Sequence, residues 1–584
     1  MSSEFSFRRS KIPLPADLLP YVMELQSSYH RRSGIREGAF GLAIALEPNL
    51  RRDRVSYRGQ LKSPLRFREA ISALHEVVVS DLKFHARDKS AYIEWKRAEL
   101  AREQTIRRAA VDAKKAELQP QARPPIRPGL EEDYERLRRQ YWDARLKYST
   151  FLQRTDPEIW RRLVPCDPVI TVASDCLFFE CFSADESSYG CLTVGREAFE
   201  NERDVSPGTT NVDYTWDLYE HFQTLRSYRQ TSFEIDPGGF EVQTDSAGQH
   251  REEKIDLPGS WLRGFLQLQS AMTLPMRVVS IGREGLYNLL AYLKRHRAAK
   301  SPRAIRFELI PGQAPQVILE PWDRRVSCDS RPWNGNRQEN IRIWGRDRLQ
   351  VLSRLLPLAD EVHVGLLGTG LPSFWMITMG EMRFVLGLSG WTANDWTSSG
   401  ALDQILPPVE VREATLAQIA GAFRNHAAQS FESIVSQTQL PTSTVAAGLN
   451  RLALLGQIIH DLPARLYRWR QVMPVPLTSD QIGGDHPETL AARALIAAGQ
   501  VQLSKNETMP NGMRLLEGRA GGSPAELLID GDGRIVRGRC KCSHHFKNGL
   551  RKGPCRHLQA LRQSASATSR PDNLDSWYAS FRNP

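Results

Sequence analysis

The chain has 584 residues and a mass of 66.2 kDa, too long for one ordinary hydrophobic core, so about two to four domains are expected. Hydrophobic residues are 41% and charged residues 25%, which excludes wholesale disorder and a fibrous protein; no apolar run is long enough for a membrane-spanning helix. The net charge of +11, from 78 Lys and Arg against 67 Asp and Glu, permits nucleic-acid contact without establishing it.

The first residues, MSSEFSFRRSKIPLPADLLP, hold no apolar secretory h-region. Eight cysteines in this length point to reduced thiols and a cytoplasmic location rather than a disulfide framework. Residues 1–160 are expected to be mainly helical, with VMELQSSYHRRSGIREGAFGLAIAL starting as a helix before its period is lost. A charged helical hairpin is predicted over about 85–155. Its first helix runs from His85 to Leu118 and QPQARPPIRPG connects it to the second. The second carries a heptad seam of Tyr134, Leu137, Tyr141, Ala144, Tyr148 and Phe151. A hairpin projecting from the body is preferred over an arm that docks a partner.

Residues 161–275 read as β-rich, with strands in VITVAS, CLFFECFS and GCLTV. Cys166, Cys176, Cys181 and Cys191 fit no paired zinc spacing and read as core cysteines. Asp175, Glu180, Asp185 and Glu186 read as solvated strand ends rather than a metal or acid–base cluster. Residues 276–410 form an α/β region with a candidate internal repeat. VVSIGREGLYNLLAYL is echoed by IRIWGRDRLQVLSRLL, so that Gly282-Arg283-Glu284 matches Gly345-Arg346-Asp347. Leu286, Leu289 and Leu293 match Leu349, Leu352 and Leu356. The expectation is a duplicated β-α-β-β module, with chance similarity as the competing reading. No phosphate loop or dinucleotide fingerprint is present, so no nucleotide is expected.

Residues 411–475 read as a winged-helix-like domain. Phe431, Ile434 and Val435 mark one helix, and Gln439-Leu440-Pro441 the turn. Thr442 or Ser443 caps the next helix, which has Val445, Leu449 and Leu452 on its buried face. Such a helix enters the major groove when the fold reads DNA. Here it offers Arg451 beside Asn450, and the wing adds Arg465, Arg468 and Arg470. That is thin for base reading, so a protein-docking role stands level with a DNA-reading one.

Residues 485–565 read as strand-rich and end in a metal site at about 525–565, followed by a tail at 566–584. From Arg534 to Arg562 there are nine Lys and Arg and no acidic residue, against a whole-chain excess of +11. Within that run Cys540 and Cys542 are followed, after twelve residues, by Cys555 and His557. Three thiolates and one imidazole are a common tetrahedral zinc set, and each short pair supplies one edge of the tetrahedron. Cys540 and Cys542 must lie in a turn, because side chains two apart on a strand face opposite ways. His544 and His545 are rival ligands by proximity and read as loop residues. A closed four-ligand shell leaves no position for water, so one structural Zn²⁺ is expected. The finger then keeps a surplus of about +8 for phosphates or acidic partners. The candidate contacts are Arg539, Lys541, Lys547, Arg551, Lys552 and Arg556, with Arg451 from the winged helix.

Cys-x-Cys, a spacer, then Cys-x-His preceded by Gly-Pro resembles the SWIM zinc finger over roughly thirty residues. The resemblance implies a strand-hairpin-helix finger that binds DNA or proteins. LLGTGLPSFW, LGLSGWTANDW and the terminal finger together look like large bacterial proteins of that group. Some of these accompany AAA+ ATPases and von Willebrand A-type proteins, which implies an adaptor role. The whole is expected to be a multidomain α+β protein. Its first reading is a zinc protein binding DNA or other nucleic acid; the alternative is a protein-interaction scaffold. An enzyme is not expected, since no nucleophile–base pair, open metal site or phosphate loop is visible.

Overall fold

The computed structural model describes residues 25–28, 34–38, 41–46, 55–80, 133, 136–137, 140, 144, 168–183, 185–212, 214, 216–228, 230–235, 253–257, 259–298, 302–326, 331–335, 338–390, 396, 411–470, 487–509, 513–529 and 535–568. The chain mixes helices with several separate sheets and divides into two compact units: Asp81–Val164, and Met1–Ser80 with Pro165–Pro584. No helix among the described residues is long and apolar enough to cross a membrane.

In the unit Asp81–Val164, Asp133, Arg136, Leu137, Gln140 and Ala144 are helical and exposed, and Arg136 pairs with Asp133 at 2.8 Å one turn away. Leu137 and Ala144 therefore do not form a buried seam. Its other members, the His85–Leu118 helix and the Pro-rich connector lie outside the described residues.

In the larger unit the N-terminal stretch departs from the helical expectation. Leu25–Ser28, Gly34–Gly38, Gly41–Leu46 and Ser56–Leu61 are strands, and the first helix is Pro64–Ser80. The reason lies in Gly34, Gly38 and Gly41, which a helix tolerates poorly. Ile44 and Leu46 are then buried two apart, the period of a strand. A five-stranded sheet runs in the order Gly34–Gly38, Gly41–Leu46, Thr231–Ile235, Ser56–Leu61, Phe199–Ser206.

Two stretches after residue 276 share one element order. Strand Arg277–Ser280, Gly282, helix Arg283–Arg295 and strands Ile305–Leu309, Gln316–Leu319 and Arg324–Val326 make the first. Strand Glu339–Ile343, Gly345, the 3₁₀ helix Arg346–Arg354 and strands Glu361–Leu366, Ser373–Met379 and Met382–Leu388 make the second. Their leading strands are exchanged: Arg277–Ser280 pairs with Glu361–Leu366, and Glu339–Ile343 pairs with Ile305–Leu309. The six matched leucines are all buried, although Leu356 lies past the second helix in the short 3₁₀ turn Leu356–Leu358. The second stretch extends through Met382–Leu388, which pairs with Ser188–Gly195, into an eight-stranded sheet that ends at Gly208–Asn211. Cys176, Cys181 and Cys191 are free thiols buried in that sheet, as core cysteines should be; Cys166 lies outside the described residues.

Between residues 411 and 470 the order is helix Glu413–Gly421, strand Ala428–Gln429, helices Phe431–Thr438 and Thr442–Leu454, and strands Ile458–Asp461 and Leu466–Trp469. Ser430 caps the second helix by accepting from the Ser433 amide at 3.2 Å. Gln439, at φ 54, ends it. The third helix starts at Pro441 with no side-chain cap, so the capping expected from Thr442 or Ser443 is not made; Ser443 is buried instead. Helix Pro487–Ala497 follows. After it comes a four-stranded antiparallel meander of Val501–Thr508, Arg514–Ala520, Ser523–Ile529 and Ile535–Cys540, then helices Ser543–Asn548 and Arg556–Thr568.

Candidate metal centre

The ligand quartet is assembled by close approach of the last strand and the last helix. A methyl group on Gly538 would stand 2.8 Å from Leu558 Cδ1, so any larger residue there would have to displace that buried side chain. Cys540 is the final strand residue and Cys542 caps helix Ser543–Asn548, its sulfur accepting from the His545 amide at 3.4 Å. The pair thus turns the corner that its spacing demands. Cys555, buried, stands just before helix Arg556–Thr568, and His557 lies in its first turn. The positive end of that helix favours thiolate charge.

One ligand atom from each of Cys540, Cys542, Cys555 and His557 lies within 4.8 Å of every other, so the cluster can hold a metal ion. A tetrahedron with metal–sulfur bonds of about 2.3 Å has edges of roughly 3.8 Å, and the donor set fits it. Cys540 Sγ is 3.5 Å from His557 Nδ1. A hydrogen bond from the Cys555 thiol holds the Cys540 thiol well below its usual value, and the same contact with burial pushes Cys555 up. His544 and His545 stand outside the quartet. Beside it opens a cleft of about 550 Å³ lined by Glu488, Cys542, His544, Lys547, Arg556 and His557.

The acid-free run of sequence is not acid-free in space. Glu488 accepts from the Arg556 amide at 2.7 Å and from its guanidinium at 2.6 Å. Glu526 pairs with Arg537 at 3.0 Å and Arg539 at 3.8 Å. The expected surplus of about +8 is reduced accordingly, because two carboxylates arrive from the preceding helix and the adjacent strand. Glu488 is 68 residues from Arg556, and no local spacing reveals the pairing. Lys541, Lys547, Arg551 and Lys552 are exposed; the three lysines have no acidic partner among the described residues.

The helix Thr442–Leu454 is not presented for reading a groove: nine of its thirteen residues are buried. Asn450 Nδ2 donates to Ser270 O at 3.0 Å, Ser270 Oγ at 2.9 Å and Thr273 Oγ1 at 2.9 Å on helix Gly259–Met272 and its end. Arg451 is half-buried on the same helix. Two of the arginines expected on a wing are committed too. Arg468 pairs with Asp175 at 2.5 Å and Asp461 at 3.0 Å, and Arg470 is buried against Glu180. Arg465 remains exposed at φ 55. Glu180, expected as a solvated strand end, is instead fully buried, its carboxylate accepting also from Tyr189 at 2.6 Å.

No family model and no curated protein matches the chain. Among solved structures, the proliferating cellular nuclear antigen of Entamoeba histolytica matches at 10% identity and TM-score 0.27, over 39% of this chain and 90% of that one. PCNA of Thermococcus kodakaraensis matches at 13% identity and TM-score 0.26, over 38% and 90%. A. fulgidus PCNA, bound to the C-terminal region of FEN-1, matches at 9% identity and TM-score 0.26, over 39% and 91%. These likenesses are too weak to carry an argument about function.

Proposed function

We propose that Cys540, Cys542, Cys555 and His557 hold one structural Zn²⁺ in a SWIM-type finger, and that the finger binds nucleic acid, DNA in the first instance, through phosphate contacts. The two stretches after residue 276 are read as a duplicated β-α-β-β module, and residues 411–470 as a winged helix used for packing within the chain. The observation that carries the nucleic-acid reading is the contrast between engaged and unengaged cations. Arg539 and Arg556 have carboxylate partners, while Lys541, Lys547 and Lys552 face solvent without one among the described residues. Phosphates would release their counterions to such a face, so binding should weaken by roughly 0.9 log units per log of salt for each contact.

Arg551→Glu with Lys552→Glu tests this. Both side chains lie in the spacer between the ligand pairs, so zinc should stay bound while the slope of log affinity against log salt falls by about 2. Unrelated duplexes should lose affinity alike, since phosphate contacts do not read bases. Unchanged affinity in a zinc-replete double mutant would remove this face from the interface. The burial of helix Thr442–Leu454 against the chain's own helix takes it out of a groove-reading role; the second reading, implied by the resemblance, is an adaptor for protein partners such as AAA+ ATPases or von Willebrand A-type proteins. Absence of any salt-sensitive DNA binding by the intact protein would select it.

A further inference from the structure

Phe546 is 87% exposed, the most exposed large apolar side chain among the described residues. A lone surface apolar residue is ordinary; the mounting and the surroundings of this one are not. It stands on the short helix Ser543–Asn548, which is tied at both ends. At the start the Phe546 amide donates to Cys542 O at 2.9 Å while Cys542 Sγ accepts from His545. At the end Gly549, at φ 57, donates its amide to His545 O at 2.8 Å. The ring is thus carried by a turn that one ligand of the metal cluster anchors. Lys541, Lys547, Arg551 and Lys552 are exposed on the same finger.

An aromatic ring held in solvent, on a finger that also exposes cations, matches a polyanion that also offers flat apolar faces. A duplex stacks its bases away; a single strand presents phosphates and base faces together, and base–aromatic stacking tolerates any sequence. We infer that Phe546 is a stacking platform and that the finger binds single-stranded DNA in preference to duplex. This rests on the nucleic-acid reading above and specifies the form of the ligand.

The test uses the full zinc-loaded chain with labelled oligo(dT), oligo(U) and a duplex of matched length. The intact protein should favour oligo(dT). Phe546→Ala should weaken oligo(dT) binding by about five- to a hundredfold, change duplex binding by less than about twofold, and leave zinc content unchanged; Phe546→Tyr should restore the oligo(dT) affinity. Equal losses on both DNA forms, or no loss on oligo(dT), would overturn the platform while salt-sensitive duplex binding kept the broader reading alive. Tighter binding of oligo(U) than of oligo(dT) would overturn the assignment to DNA. If the intact protein binds none of the three, this inference and the nucleic-acid reading fall together.

Discussion

Arg470 and Glu180 are 1% and 0% exposed and bonded to each other, joining the hairpin of Ile458–Asp461 and Leu466–Trp469 to the eight-stranded sheet. Two charges withdrawn from water tolerate each other's presence far better than either tolerates the other's loss. Arg470→Met should therefore lower stability by about 3–5 kcal/mol, read as a drop in the melting transition. Adding Glu180→Leu should recover much of it, because an apolar pair of similar volume replaces a buried ion pair at little cost. A double mutant no more stable than the single would place the fault in packing rather than in the stranded carboxylate. His460, nearby in sequence, makes a second prediction. Its ring stacks on Tyr467 at 4.2 Å and its Nδ1 lies 2.7 Å from Met272 O. Burial pushes its pKa down to about 4. The unfolded chain therefore takes up the proton first, and the neutral ring's contribution is complete only above pH about 6.5. As pH falls towards 4, about 3 kcal/mol should be lost, since each tenfold change in proton affinity is worth about 1.36 kcal/mol. Asp175, which Arg468 holds below its ordinary value, begins to titrate only under that window. His460→Gln should remove that loss from the dependence of the melting transition between pH 6.5 and 4, leaving the opposite contribution of Glu76, which burial holds above its ordinary value, and an unaltered slope would exonerate the imidazole.

At the scale of elements, the finger is where the ion should matter most. Cys542 completes the quartet, so Cys542→Ser should abolish stoichiometric zinc; Cys542→Ala, which removes the cap as well, should also release helix Ser543–Asn548. Elemental analysis checks the first and amide exchange at His545 and Phe546 the second; full zinc occupancy would mean a different ligand set. The body should persist, since its buried cluster shares no member with the one that holds Cys555. How far these elements could be read in advance follows from where their determinants lie. The Cys-x-Cys and Cys-x-His pairs, the two helices on either side of Gln439 and the buried leucines of the two Gly-Arg-acidic stretches are local patterns, and each was legible. The N-terminal strands were not, because their apolar alternation is short and punctuated by glycines, and their partners, such as Thr231–Ile235, lie far along the chain. Nor could any spacing show that Asn450 faces Ser270 or that Glu488 reaches Arg556. Those contacts decide which charges stay available, and they are set by packing between distant segments.

For the whole molecule, the distribution of apolar contacts predicts which cuts are tolerated. Residues of 411–470, among them Ile419, Leu449 and Ile459, share one buried cluster with Phe178, Phe265 and Met272 of the body, whereas the finger's cluster has no member in common with it. A chain ending after residue 486 should remain soluble and keep the body's melting transition within a degree or two, as expected of domains with separate cores. One ending after residue 410 should expose the face under helix Thr442–Leu454 and aggregate. Equal behaviour of the two truncations in size-exclusion chromatography would contradict this division. The exchange of leading strands between the two stretches after residue 276 bears on how the protein is made. Arg277–Ser280 leaves the ribosome some eighty residues before Glu361–Leu366, the strand it must pair with, and Ile305–Leu309 likewise awaits Glu339–Ile343. The first half cannot close its sheet during its own translation, because Glu339–Ile343 comes from the second, and Arg277–Ser280 stays unpaired until the second half is made. Pairings of such long range are slow to form. The nascent chain must therefore carry open strand edges until about residue 388 has emerged, and in that interval it depends on whatever shields those edges at the exit tunnel.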